Sequence, residues 1–248
     1  MKAIIIAAGP SSRLKPLTND KPKCLLEIGG KTIMQRALCV MRECGIEDIV
    51  VVKGYKKEFI DYTGVKYYEN TDYQNNNILR SLFYAEGEMD DEFVFSYSDI
   101  IFEKSALEKL LQNNADISLV IDIDWMPHYE HRYQHPIGEA ELVEVRNGRI
   151  TKIGKEVCPP NKAYGEFIGL AKFSRLGADI LRSNYKRVAH QYQGKPFQRA
   201  ASVEKAYLTD MIQELIDTGY AISNVDIKGG WVEIDTPEDL EKAKGQFV

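Results

Sequence analysis

The stretch Ala7-Ala8-Gly9-Pro10-Ser11-Ser12-Arg13-Leu14-Lys15-Pro16-Leu17-Thr18, running on to Lys21-Pro22-Lys23, decides how this chain is read. It follows Lys2–Ala7, an uninterrupted apolar run of the kind that forms a strand buried on both faces. A bend of small residues at the carboxyl end of a first strand is where open α/β sheets bind ligands, because backbone N–H groups can approach phosphate oxygens there. From Arg13 to Lys23 stand four cations, Arg13, Lys15, Lys21 and Lys23, against Asp20 alone, in a chain whose formal charge is −5. That local reversal of sign points to a polyanionic ligand, although a solvated basic loop carries the same pattern. Two better-known phosphate motifs fail. No Gly-x-Gly-x-x-Gly follows the first strand, and Gly29-Gly30-Lys31-Thr32 lacks the upstream glycine of a Walker loop, with Leu25 in its place.

Outward from the bend, strand and helix patterns alternate. Thr32 is placed to cap a helix carrying Ile33, Met34, Ala37, Leu38 and Met41 at helical spacing, with Gly45 to end it. Asp48–Lys53 reads as a second buried strand and Val65–Glu69 as a short third. Asn76 or Asn77 can cap a helix through Leu79, Leu82, Phe83 and Ala85. Phe93–Tyr97 and residues 117–123 are further strands, separated by a helix near 105–111. This alternation predicts a doubly wound, mostly parallel α/β sheet. The second half differs: residues 141–153 read as a hairpin turning at Asn147-Gly148, a pair suited to a type I′ turn. A strand at 166–173, helices near 176–185 and 204–217, strands at 221–227 and 231–234, and a helix from Pro237 complete the chain. Residues 189–201, with Gly194 and Pro196, read as a mobile loop.

Length and composition set outer limits. The 248 residues, 44% of them apolar, suit one large α/β domain spanning 1–248. The net negative charge argues against general nucleic-acid binding, and no apolar run approaches the roughly 20 residues that span a bilayer. The start lacks a secretory cleavage pattern, and Cys24, Cys39, Cys44 and Cys158 form no CxxC pair. Reduced thiols in the cytoplasm are the expectation.

The segment AAGPSSRLKPLTNDKPKCLLEIGGKTIMQRAL resembles the signature of the sugar-phosphate nucleotidyltransferases, AAGxGxRLxPLT followed by PK. The match covers about the first 40 residues, and Ser11 stands where that family has glycine. The resemblance implies a Rossmann-like, GT-A-like nucleotidyltransferase fold. It also implies an acceptor-binding insertion at approximately 124–165 that contains the hairpin. By resemblance, Arg13 holds the β- and γ-phosphates, Lys23 the α-phosphate, and Ala7, Ala8 and Gly9 line base and ribose. Pro10, Ser11 and Ser12 complete the nucleotide loop.

Nucleotidyl transfer is helped most by charge neutralisation and in-line positioning, so carboxylates at strand ends are expected to hold Mg²⁺. Asp99, after Phe93–Tyr97, and Asp235, before Thr236-Pro237, fit, though each also fits a loop carboxylate or helix cap. The resemblance favours them as metal ligands and, with Arg13 and Lys23, as the catalytic set. A rival is Asp122-Ile123-Asp124, the DxD that a glycosyltransferase using a nucleotide-sugar would show.

Residues 69–82 look like the cytidylyltransferase branch, whose acceptors are choline phosphate, aminoethylphosphonate or phospho-amino acids. There Asn75, Asn76 and Ser81 are nucleotide-binding candidates, although turn and cap roles suit them equally. CTP and a small phosphorylated or phosphonate acceptor are the expected partners, with a hexose 1-phosphate as the alternative. A homodimer is left open, and the resemblance implies cell-surface polysaccharide biosynthesis. Trp125, Tyr129, Arg132, His135 and Glu166 are the acceptor candidates. Arg132 suits a phosphate or phosphonate, Trp125, Tyr129 and Tyr133 could cage a quaternary amine, and Glu166 could meet an amine or be an ordinary strand-edge carboxylate. His128, His131 and His135 read as loop histidines contacting solvent or substrate rather than a zinc site.

Overall fold

The computed structural model describes residues 1–130 and 132–247. The first half comprises β1 (Lys2–Ala7), β2 (Glu27–Ile28), β3 (Lys31–Thr32), α1 (Ile33–Glu43), β4 (Asp48–Lys53), β5 (Val65–Glu69), α2 (Ile78–Leu82), β6 (Phe93–Tyr97), β7 (Ile100–Phe102), α3 (Lys104–Gln112) and β8 (Ile117–Asp122). The second comprises β9 (Glu141–Arg146), β10 (Arg149–Lys155), β11 (Gly165–Phe173), α4 (Arg175–Gln191), α5 (Leu208–Asp217), β12 (Ser223–Ile227), β13 (Trp231–Glu233) and α6 (Pro237–Gln246).

β1 is central in a nine-stranded sheet of order β10-β9-β11-β6-β1-β4-β5, with β8 and β12 joined along β11. Its apolar run alternates between two cores: Ile4 and Ile6 pack with Val50, Val52 and Phe95, whereas Ala3, Ile5 and Ala7 pack with Val51, Met34 and Leu38 of α1. A strand so enclosed has no polar face, which is why its sequence does not alternate. Burying each isoleucine contributes about 1.5–3 kcal/mol.

Strands β5, β4, β1 and β6 pair in parallel, as do β8 and β12, while β11 runs antiparallel to β6, β8 and β9. The sheet is therefore mixed and mostly parallel, with the reversed strand β11 wedged into its middle and a second reversed strand, β10, at its edge. Gly169 makes that wedge possible. It has φ +83, and a Cβ there would stand 2.2 Å from the Tyr97 ring, so β11 can swing from β9 to β6 across an aromatic side chain only at a glycine.

Local predictions hold where a local device exists. Thr32 and Gln35 form a reciprocal capping box on α1, and Asn77 caps α2. Asn147 and Gly148 both take positive φ in the β9–β10 turn. Three differences stand out. The short pair β7–β13, which clamps the segment between Asp99 and Asp235, was not anticipated. Helix α5 starts at Leu208 rather than near 204. The stretch 189–201 begins inside α4, and its Phe197 is fully buried and bridged to Ala200, so tertiary packing anchors what composition read as a loose loop.

Candidate active site

A cavity of about 330 Å³ opens at the carboxyl ends of β1 and β6. The phosphate-loop candidates Ala7, Ala8, Gly9, Pro10, Ser11, Ser12 and Arg13 line one wall. The loop's path is set by backbone bonds: Tyr55 N–H donates to Ala8 O at 3.0 Å, and Thr18 Oγ1 donates to Ser11 O at 2.9 Å. Gly54 packs so closely on Ala8 that a Cβ would lie 2.8 Å from its carbonyl oxygen. Ser11 sits at φ 49, ψ 49, the left-handed region, and keeps the backbone path that glycine adopts freely. A non-glycine residue there costs about 1–2 kcal/mol.

At the cavity floor Lys23 joins the two strand-end aspartates. Its ammonium lies 2.7 Å from Asp99 Oδ2 and donates to Asp235 Oδ1, while Arg13 donates to Asp235 Oδ2. Burial alone would depress the Lys23 ammonium, but the charges of Asp235 and Asp99 outweigh it and hold its pKa above the usual lysine value. Burial likewise pushes Asp235 up, and Lys23, His135 and Arg13 overcome it, leaving this carboxyl ionised and well below its usual range. Asp99 Oδ1 is buried with no hydrogen-bond partner. Cys24 also lines the cavity, yet burial pushes its thiol up to about 12, so it has no thiolate to offer as a nucleophile.

Residues 3–145 match the family of MobA-like NTP transferase domains. The chain belongs to that family. It is 31% identical to the CTP:phosphoglutamine cytidylyltransferase of Campylobacter jejuni over 97% of this chain and 98% of that protein. It is also 35% identical to the choline-phosphate cytidylyltransferase of Streptococcus pneumoniae over 68% of this chain and 80% of that one. The inositol-1-phosphate CTP transferase from T. maritima superposes with a TM-score of 0.75 at 22% identity, covering 100% of this chain and 97% of that chain, a likeness of fold.

Within this NTP transferase domain the sequence candidates divide. Asn76, Ser81, Asp99, His135 and Asp235 line the cavity with the loop. Asn76 and Ser81 are stitched together by the buried Asn70, whose Nδ2 donates to Asn76 Oδ1 at 2.7 Å and to Ser81 Oγ at 2.8 Å. Asn75 is not on the wall; its side chain turns back to Asp72.

The acceptor candidates fare differently, and four of the five lie off the cavity wall. Arg132 is held by Asp239 at 2.6 and 3.0 Å and by Glu233 at 3.1 Å, and so is committed within the protein rather than free for a ligand phosphate. Trp125 is only 3% exposed, packed with Ala140, Leu142 and Cys158 and with its ring centroid 5.7 Å from that of Tyr129, whereas Tyr133 is 80% exposed. Tyr129 instead donates to Glu166 Oε1 at 2.5 Å, behind the cavity. Burial pushes the Glu166 carboxyl up to about 8. His131 lies outside the described residues. The first aspartate of the rival DxD is engaged within the fold: buried Asp122 accepts from Trp231 Nε1 at 2.7 Å and from Gly229 N–H at 3.0 Å, and so fixes the chain ahead of β13.

Sequence reasoning missed Glu139, Glu141, Lys155, Tyr207 and Glu233, all on the cavity wall. Lys155 bonds Glu139 at 2.8 Å and lies 4.5 Å from the Tyr207 ring centroid. Glu141 accepts from Thr209 Oγ1 at 2.6 Å and Tyr97 OH at 2.9 Å. Burial raises the Glu233 carboxyl well above its usual value, with the Asp235 charge adding to it and Arg132 opposing. A signal existed for Glu233, which ends β13 two residues before Asp235, the spacing at which extended backbone sends side chains to the same side. Lys155 and Glu141 face each other only because the register slips between Ile150 and Lys152, which counting back from the turn misses.

Proposed function

We propose that the chain transfers CMP from CTP to the phosphate or phosphonate of a small non-sugar acceptor, with release of pyrophosphate. One observation carries the reading: Lys23 bridges two strand-end aspartates at the mouth of a basic, small-residue loop. Likeness to a CTP:phosphoglutamine cytidylyltransferase over nearly the full length of both chains supports the base and the acceptor class. Asp99 and Asp235 are the proposed Mg²⁺ ligands. Carboxylate oxygens suit that hard ion, and the partnerless Asp99 Oδ1 fits such a role. Bound there, the ion would neutralise charge on the triphosphate.

The chain's own residues do the rest. Backbone N–H groups of residues 8–13 and the Arg13 guanidinium orient the triphosphate, and Lys23 stands beside the α-phosphate. An acceptor oxygen attacks the α-phosphorus, forming one P–O bond as the bond to the bridging oxygen of the β-phosphate breaks. The attacking phosphate or phosphonate oxygen is already anionic, so no proton need be removed, and direct displacement requires no covalent enzyme intermediate. Arg13 and Lys23 stabilise the departing pyrophosphate. Lys155, His135 and Glu139 form the wall facing the acceptor. Four unpaired cysteines suit a reducing cytoplasm.

The test holds CTP fixed and measures pyrophosphate release with phosphocholine, aminoethylphosphonate, phosphorylated amino acids and hexose 1-phosphates, then repeats the best acceptor with other nucleotides. Preferred turnover of a hexose 1-phosphate with UTP, dTTP or GTP overturns the reading. So does CTP binding without pyrophosphate from any acceptor.

A further inference from the structure

We infer that His135, Glu233 and Asp235 form a second divalent-cation site, sharing only Asp235 with the proposed magnesium position, one with an imidazole ligand and hence a preference for manganese-type ions over magnesium. Each residue offers one ligand atom, and the three atoms lie within 4.8 Å of one another. The carboxylates alone would say little. The imidazole is the independent observation: His135 is 1% exposed and lines the cavity, and among the described residues neither ring nitrogen makes a hydrogen bond of full geometry. Nδ1 faces Asp235 Oδ2 at 3.3 Å and Nε2 faces Glu233 Oε2 at 3.7 Å. A buried nitrogen left unpaired costs about 1–3 kcal/mol, and such groups persist where a ligand completes them.

The site adjoins the position already filled by a side-chain cation but differs from it. Lys23 takes Asp235 Oδ1 together with Asp99, whereas His135 faces Oδ2, an oxygen with two lone pairs of which Arg13 uses one. The two carboxylates are held in place, as ligands must be. Arg132 bonds Glu233 Oε2 at 3.1 Å, the oxygen that also faces His135 and keeps a lone pair for an ion, and the Asp235 backbone N–H donates to Asp239 Oδ2 at 3.0 Å, which fixes the main chain that carries the carboxylate. Two carboxylates with one imidazole suit Mn²⁺, Co²⁺ or Zn²⁺ better than Mg²⁺, which favours an all-oxygen shell.

Manganese alone, added to the full chain without nucleotide, is the probe. Electron spin-echo modulation of bound Mn²⁺ should show a directly coupled ¹⁴N from imidazole. His135→Gln should abolish that coupling and weaken Mn²⁺ binding by about tenfold or more, with Mg²⁺ binding little changed. His128→Gln should keep the coupling. No Mn²⁺ binding at millimolar concentration, bound Mn²⁺ without nitrogen coupling in the wild type, or coupling that survives His135→Gln would each overturn the site. The wild-type spectrum decides even if a variant fails to fold. Pyrophosphate release from CTP without nitrogen coupling would leave the proposed function intact and remove this site, and the converse result would do the reverse.

Discussion

Lys23 neutralises two carboxylates that would otherwise repel each other across the cavity floor. Removing it has two separable effects. Asp235, held ionised chiefly against its burial by Lys23, loses its principal counter-charge, and the α-phosphate loses a donor aimed at charge that develops during transfer. Lys23→Met keeps the aliphatic stem and removes only the charge. Its kcat should fall by roughly 10²–10³, the usual effect of deleting one such donor, while far-ultraviolet circular dichroism stays unchanged. Turnover within a few-fold of wild type would remove Lys23 from the catalytic set. Lys23 was legible from sequence because its neighbours, Pro22 before it and the basic loop upstream, form a contiguous motif. Glu233 and Lys155 belong to no such run, and a motif cannot report residues that only tertiary structure assembles.

At the scale of elements, residues 126–130 and 132–139 are seated on β13 and α6 through polar contacts. Arg132 forks onto Asp239, which also accepts from the backbone N–H groups of Asp235 and Thr236. The Lys242 ammonium donates to His128 O at 3.2 Å. Arg132→Ala should therefore destabilise the fold by about 3–5 kcal/mol, because Asp239 is left buried and uncompensated. It should lower kcat with both substrates saturating. A selective rise in acceptor KM at unchanged melting temperature would instead restore the phosphate-binding role that sequence suggested. The seam between Tyr129 and β11 carries a second test. Burial, with help from the Asp122 and Glu141 charges, raises the folded-state Glu166 pKa to about 8, against the opposing influence of Tyr129 and Arg132. Between the ordinary glutamate range and about pH 8 the folded chain binds a proton that the unfolded chain has lost. Glu166 thus contributes stability that is complete below the ordinary glutamate range and is lost as pH rises from there to about 8, on the order of 5 kcal/mol. Glu166→Gln lacks that dependence. The melting temperature of the wild type should fall relative to the variant between pH 5 and 8, and parallel curves would show that Glu166 titrates normally.

Across the whole molecule, legibility followed range. Strands β1, β4 and β6 were readable because each is enclosed on both faces and so written mostly in consecutive apolar residues. The reversal of β11 was not, since nothing within residues 166–173 says which neighbours the strand will have. The same division explains the site. Its nucleotide wall is one local loop, whereas its opposite wall is drawn from β9, β10, β13, the turn at residues 137–139 and the start of α5. Asn77 ties the two halves further: its N–H donates to Glu204 O at 2.8 Å and its side chain to Lys205 O at 3.2 Å. A ligand filling this cavity must therefore stabilise both halves together, because unfolding either one destroys its wall. CTP with magnesium at about a hundred times its dissociation constant should add about 2.7 kcal/mol, or roughly 5–10 °C in the midpoint of a chain this long. The transition should stay single by scanning calorimetry. Two resolved transitions, with only one of them moved by CTP, would mean that the nucleotide rests on the loop half alone and that the far wall takes no part in holding it.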